Sequence, residues 1–292
     1  MSQQKTYFIF GAGFSGKVFG ALASAEGASV FGTTRSTQKK AELAAHNINP
    51  VLFDGTAITP DLETALQQAT DLIISIAPGE EGDPVLRNAS ELIANAPNLG
   101  WIAYLSTVGV YGNHDGRWVD ETTTCKPVSQ RSIQRLEAER AWTDFARKNN
   151  LSLAILRLSG IYGPGRNALK NMVEGKARRL IKPGQVFNRI HATDIARSLL
   201  FLSQQSADGI FNVTDDMPSP PQDVVEHAAL VTKIDAPEPI DFDTATLSPM
   251  ARSFYGENKR VSNAKLKSIG FQFTYPDYRQ ALDKMWSDDN WR

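Results

Sequence analysis

Cysteine is almost missing from this chain. Cys125 is the only one among 292 residues, so no intramolecular disulfide can form and thiolate-based metal sites are excluded. The four histidines do not combine with Asp or Glu at metal-ligand spacing, and no metal is expected. Net charge is nearly absent too: 31 Lys and Arg against 32 Asp and Glu leave −1. Nucleic acid and anionic membranes need a concentrated positive field, so neither is expected as the main partner. There is no long apolar run near the start. Met1-Ser2-Gln3-Gln4-Lys5 leads straight into Thr6 to Phe10, too short for a signal peptide or a membrane span, and a cytoplasmic location is expected. The nucleophile elbow Gly-x-Ser-x-Gly is also lacking, since Gly13-Phe14-Ser15-Gly16 has no second spacer.

What is present is an ordinary globular composition, 41% apolar and 22% charged, with length for a large domain carrying a smaller lobe. The first half alternates short apolar runs with longer amphipathic ones. Tyr7 to Phe10, Ser29 to Thr33, Pro50 to Phe53, Asp71 to Ile76, Trp101 to Ser106 and Leu153 to Leu158 read as strands. Each is nearly all apolar, as in parallel strands buried on both faces. Gly16 to Ala25, Gln38 to His46, Pro60 to Gln68, Pro84 to Asn95 and Ser129 to Asn149 read as the crossover helices. Right-handed crossovers then give an α/β fold, a Rossmann-type doubly wound parallel sheet. After Ser159 the alternation fails at Gly163-Pro164-Gly165 and Pro183-Gly184, resumes over Arg189 to Val213, and gives way to helices at Asp223 to Val231, Asn263 to Ser268 and Pro276 to Trp286. The expected division is 1–158 plus 188–213 for the nucleotide-binding domain, and 159–187 plus 214–292 for a smaller, discontinuous C-terminal lobe.

Gly11-Ala12-Gly13-Phe14-Ser15-Gly16 closes the first strand and opens a helix, the context in which Gly-x-Gly-x-x-Gly binds a dinucleotide. Gly11 permits the turn, Gly13 the approach of a pyrophosphate, and Gly16 close packing of helix on strand. The amides of Phe14, Ser15 and Gly16 then face the phosphates at a positive helix end. The second strand ends in Thr33-Thr34-Arg35-Ser36 without the acid that holds a ribose 2′-hydroxyl in NAD-specific folds. Arg35, flanked by the Thr34 and Ser36 hydroxyls, suits a 2′-phosphate, so NADP(H) is expected over NAD(H). Asp54, at the third strand's end, is placed to accept from an adenine amino group, or to begin a turn.

Tyr104-Leu105-Ser106-Thr107-Val108-Gly109-Val110-Tyr111-Gly112, Arg157 to Arg166 and Arg189-Ile190-His191-Ala192-Thr193-Asp194 add to the glycine motif and to Ile74-Ser75-Ile76-Ala77. In that order they resemble the extended short-chain dehydrogenase/reductase family, in its branch of NAD(P)-dependent epimerases and dehydratases. The resemblance covers most of the chain to about Val213. It implies that Ala77 belongs to the cofactor site and that Thr107 hydrogen-bonds a substrate oxygen beside the nicotinamide. It also implies a Tyr-x-x-x-Lys pair on the next helix. Aligned on Leu136-Glu137-Ala138-Glu139, those two places hold Arg131 and Arg135.

Arginine stays protonated in proteins and cannot inherit general acid/base duty. Three readings follow. Another group supplies the proton, with Tyr111 nearest in sequence and Tyr162 and His191 more remote. Alternatively, the two arginines clamp an anionic or nucleotide-linked, sugar-like substrate. The third reading is a cofactor-binding redox sensor or regulatory module without turnover, resembling the NmrA-like regulators. Arg131 and Arg189 are the expected anion contacts, the alternatives being a solvated or acid-paired helix residue for Arg131 and a salt bridge for Arg189. Asp194 reads as a helix-start acid or a partner of His191. Many members of the resembled family dimerise through helices matching Pro84 to Asn95 and Ser129 to Asn149. Here the second is heavily charged, leaving monomer and homodimer both open.

Overall fold

The computed structural model describes residues 4–292; the reading of Met1 to Gln3 lies outside the described residues. The chain alternates as its apolar runs require: β1 (Thr6–Phe10), α1 (Phe14–Ala25), β2 (Ser29–Thr34), α2 (Lys40–Ala44), β3 (Asn49–Leu52), α3 (Pro60–Leu66), β4 (Asp71–Ile74), α4 (Pro84–Ala94), β5 (Trp101–Thr107) and, after the short β6 (Trp118–Val119), α5 (Gln130–Lys148) and β7 (Ser152–Leu158). There follow β8 (Gly160–Tyr162), α6 (Ala168–Val173), β9 (Arg179–Ile181), β10 (Arg189–His191), α7 (Ala192–Gln204) and β11 (Gly209–Val213). The remainder comprises α8 (Pro221–Thr232), β12 (Pro239–Asp241), α9 (Pro249–Phe254), β13 (Arg260–Val261), α10 (Ala264–Ser268) and α11 (Tyr278–Ser287).

Seven strands form one sheet in the order β11-β7-β5-β4-β1-β2-β3. Its registered pairs are parallel, with Tyr7 opposite both Val30 and Asp71, and Ile74 opposite Tyr104. The strand order reverses between β1 and β4, the kind of switch point outside whose strand ends open α/β sheets bind ligands. Local chemistry sets the helix starts. Thr59 accepts from the Leu62 amide ahead of Pro60, and Asp83 accepts from the Val85 and Leu86 amides ahead of Pro84. The core of this layer gathers Phe8, Phe10, Ile74, Ile102, Tyr104 and Trp142, all fully buried. Truncating Trp142 to Ala would cost on the order of 3–5 kcal/mol. A buried charge also lies in β4: Asp71 is answered by Lys5 at 2.8 Å and the Ser203 hydroxyl at 2.7 Å.

Two compact units are distinguishable. The first holds the residues up to Thr107, Gln130–Arg157 and Ile195–Phe211; the second holds Val108–Ser129, Leu158–Asp194 and Asn212–Arg292. Boundaries drawn from sequence differ chiefly at Val108–Ser129 and around residues 188–194, which group with the second unit. The reason is pairing that no periodicity announces. β13 pairs with β6, β10 pairs with β8, and the Asn258 carbonyl accepts from the His114 and Gly116 amides. The second unit also pairs β12 with β9 and packs a core of Tyr162, Leu169, Met172, Tyr278, Leu282 and Trp291. The helix expected over Gln38 to His46 is a 3-10 turn, Thr37–Lys39, followed by the five-residue α2. No helix among the described residues is long and apolar enough to cross a membrane.

Candidate cofactor and active site

The β1–α1 turn is held by β2. The Gly11 amide donates to Thr33 Oγ1 at 2.8 Å and the Ala12 amide to the Thr33 carbonyl at 3.1 Å, while Gly13 N–H turns back to the Gly11 carbonyl at 2.7 Å. Gly11 has φ +86°, and a Cβ there would lie 2.8 Å from Ile76 Cγ1, so only glycine fits. A Cβ at Gly13 would meet only the Gly11 carbonyl, at an ordinary 3.9 Å. The packing expected of Gly16 belongs to another residue. A Cβ at Gly16 would make ordinary contacts of 3.5 Å, whereas one at Gly20 would sit 2.4 Å from Ile48. The helix begins without a side-chain cap or an acidic residue in its first turn. The Phe14, Ser15 and Gly16 amides have no acceptor within the protein among the described residues. Such an end favours an anion, and these residues fit a pyrophosphate.

Arg35, Ser36 and Asp54 line one cleft of about 470 Å³, together with Thr37, Gln38, Leu52, Phe53, Ala57 and Thr59. Asp54 Oδ1 accepts from the Thr56 hydroxyl at 2.7 Å, the Thr56 amide at 2.9 Å and the Ala57 amide at 3.3 Å. Those bonds, the Thr56 hydroxyl foremost, hold the carboxyl below its usual range. Arg35 is exposed, and among the described residues its guanidinium has neither an ion pair nor a hydrogen bond. Thr34 lies outside the lining; its hydroxyl braces the loop through weak contacts with Ser36 at 3.4–3.5 Å. Ala77 is exposed just past β4, next to the Ile76 that crowds Gly11.

Thr107 is the last residue of β5 and is half-buried. Arg135 reaches this strand end from α5, donating from Nη1 to the Leu105 carbonyl at 2.8 Å and to Tyr104 Oη at 3.3 Å. One turn further along α5, the buried Glu139 carboxylate accepts from Ser106 Oγ. It also takes Arg157 Nε at 3.1 Å and Nη2 at 2.7 Å. Arg131 is exposed at the start of α5.

The other candidates belong to the second unit. Tyr111 is fully buried, and its hydroxyl donates to Asn212 Oδ1 at 2.7 Å. Arg189 Nη1 donates to the Phe187 carbonyl at 3.0 Å and to Ser219 Oγ at 2.7 Å and carbonyl at 3.2 Å; its guanidinium lies 5.7 Å from the Tyr278 ring centre. No carboxylate ion-pairs with it among the described residues. Burial depresses its pKa, with Asp215 opposing. His191 accepts at Nδ1 from the Thr193 amide and packs its ring 5.2 Å from Tyr162 and 4.2 Å from Tyr275. Asp194 is not its partner: the carboxylate takes the Thr274 and Tyr275 amides at 2.7 and 2.9 Å. Tyr162 Oη, His191 Nε2 and Asp215 Oδ2 are buried without hydrogen-bond partners among the described residues.

Residues 8–214 match the model of the NAD dependent epimerase/dehydratase family. The chain belongs to that family. A conserved protein of Silicibacter pomeroyi DSS is 42% identical over 98% of this chain and 99% of its own, with a TM-score of 0.89. Protein YeeZ of Escherichia coli K12 is 29% identical, covering 94% of this chain and 97% of its own length. The structure of MoeE5 in complex with UDP-glucose and NAD covers 97% of this chain and 99% of its own at a TM-score of 0.77; at 19% identity it shows the fold alone.

Within this epimerase/dehydratase frame, the sequence places Arg35, Ser36 and Asp54 at strand ends and the structure puts all three in one cleft, but the sequence does not single out the cluster of Ser106, Glu139 and Arg157. A signal existed for one of them. Arg157 is the lone charge in the apolar run Leu153 to Leu158, and a charge in a doubly covered strand requires a buried partner. Nothing in the sequence named Glu139 as that partner.

Proposed function

We propose that this family member is an NADP(H)-dependent oxidoreductase that exchanges a hydride with a secondary alcohol or ketone, on a small or nucleotide-linked, sugar-like substrate. The observation that carries the cofactor assignment is Arg35, an uncommitted guanidinium lining the adenosine cleft where NAD-specific relatives need an acid. A charge-assisted contact to a 2′-phosphate accounts for it. Asp54 Oδ2 accepts from the adenine amino group, and the first amides of α1 hold the pyrophosphate. The family description and the UDP-glucose complex of MoeE5 support the substrate class.

When bound, the oxidised nicotinamide supplies a hydride acceptor. Thr107 hydrogen-bonds the substrate hydroxyl. In oxidation of a secondary alcohol to a ketone, Thr107 would relay the hydroxyl proton to water, while the bound cofactor would supply the two-electron acceptor for the carbinol hydride. Arginine side chains such as Arg131 and Arg135 do not serve as proton donors or acceptors in that transfer. Arg131 holds an anionic group of the substrate by charge. Tyr111, locked onto Asn212, is assigned a structural role.

A second reading follows from aligning Arg131 and Arg135 with the proton-transfer pair of the family pattern: a redox sensor that binds NADP(H) without turnover. The two are separated by incubating the NADP⁺-loaded protein with a panel of UDP-sugars and simple secondary alcohols while following reduced-nicotinamide absorbance. Isotope exchange at the oxidised carbon captures transient oxidation. Growth of either signal, abolished by Thr107→Val, supports the enzyme. Tight NADPH binding with neither signal overturns it in favour of the sensor.

A further inference from the structure

We infer that Arg135, Glu139 and Ser106 are positioning residues for Thr107, and through it for the nicotinamide half of the cofactor site. The inference rests on the role assigned to Thr107 above. It starts from an overhang. β4 ends at Ile74, whose register partner is Tyr104, so Leu105, Ser106 and Thr107 run on past the last β4 pair. Side chains of α5 hold the residues of that overhang.

Two residues of α5, one helical turn apart, do this. Arg135 donates to the Leu105 carbonyl at 2.8 Å, with its guanidinium 5.5 Å from the Tyr104 ring centre. Glu139 accepts from Ser106 Oγ. The residues immediately before Thr107 are thus gripped one after the other by the same helix face, once through backbone and once through side chain. Glu139 is itself immobilised. Arg157, at the carboxyl end of β7, holds both its oxygens, and the two side chains are only 3–4% exposed. A buried bidentate pair of this kind has little freedom to shift. The helix that presents these groups is therefore locked to β5 and β7 together, and the Thr107 hydroxyl inherits that position. Hydride transfer demands such control, because small misplacement of an orienting group costs rate steeply.

The test uses two ligands of the full-length protein. NADPH spans both halves of the site, whereas 2′,5′-ADP fills the adenosine half alone. Ser106→Ala removes one grip while leaving the ion pair intact; Arg135→Met removes the other, and Arg135→Lys returns one donor. Glu139→Gln is avoided because it leaves the Arg157 charge buried without a counter-ion. Calorimetry is expected to show NADPH weakened about fivefold by Ser106→Ala and by Arg135→Met, the loss of one hydrogen bond's worth of placement. Binding of 2′,5′-ADP should change by less than about twofold, and Arg135→Lys should recover part of the NADPH loss. Unchanged NADPH affinity in both variants overturns the inference, as does an equal loss for both ligands, which would mean general loosening. If the unmodified protein binds no NADPH, the functional reading fails and this inference falls with it.

Discussion

His191 should make the second unit lose stability in mild acid. Its Nδ1 accepts from the Thr193 amide at 3.2 Å, so the neutral ring carries its proton on Nε2. The ring lies between Tyr162 and Tyr275 with 2% exposure, and burial pushes its pKa from 6.5 down to about 4. Between those values the unfolded chain binds a proton that the folded chain does not. Stability therefore rises with pH across the window and is lost as pH falls through it. At about 1.4 kcal/mol per pK unit, the loss from this group between pH 7 and pH 5 is about 2 kcal/mol. The nearby charged groups need separating. Asp194 is occupied by two backbone amides, and Arg189 stays cationic. Asp215 is pushed well above its usual range by burial, which makes it act in the opposite direction, stabilising as pH falls. Subtracting His191→Asn isolates the histidine, since asparagine can still accept from Thr193. Urea unfolding followed by circular dichroism at several pH values is the assay. The stability of the unmodified protein relative to the variant should fall by about 2 kcal/mol from pH 7 to pH 5. A difference that does not vary with pH, or one that grows in acid, would refute the reasoning.

Tyr111→Phe strands the Asn212 carbonyl oxygen in the core and should destabilise the protein by about 1–3 kcal/mol in urea unfolding, with NADPH affinity unchanged. Full stability with loss of turnover would instead make Tyr111 a reacting group. Gly11→Ala forces a side chain into a left-handed conformation costing on the order of 1–2 kcal/mol and crowds Ile76. Thermal unfolding should register a lower midpoint and calorimetry a weaker NADPH complex; an unaffected protein would mean the turn is looser than described.

The parts of the fold legible in the sequence are those with a local cause. β1, β4 and β5 are apolar because both faces are covered, and the glycine motif at the end of β1 has its own chemistry in every residue. Arg35 and Asp54 were found by counting from strand ends, and they do line one cleft. What stayed hidden depends on long-range pairing. β6 has only two residues, Trp118 and Val119, and becomes a strand by lying against Arg260 and Val261. The link between Ser106 and Glu139 spans 33 positions, with no periodicity to announce it. Gly16 was assigned a packing role by its place in the motif, whereas the contact that needs glycine falls one turn later at Gly20, opposite Ile48.

Calorimetric titration with NADPH and NADH, on the unmodified protein and on Arg35→Ala, tests the central claim most directly. The account predicts tighter binding of NADPH, a roughly 10- to 100-fold loss of that affinity in the variant, as for a charge-assisted hydrogen bond, and NADH binding that the substitution leaves within about twofold. Equal affinity for the two nucleotides, or an Arg35→Ala variant that binds NADPH as well as the unmodified protein does, would contradict it.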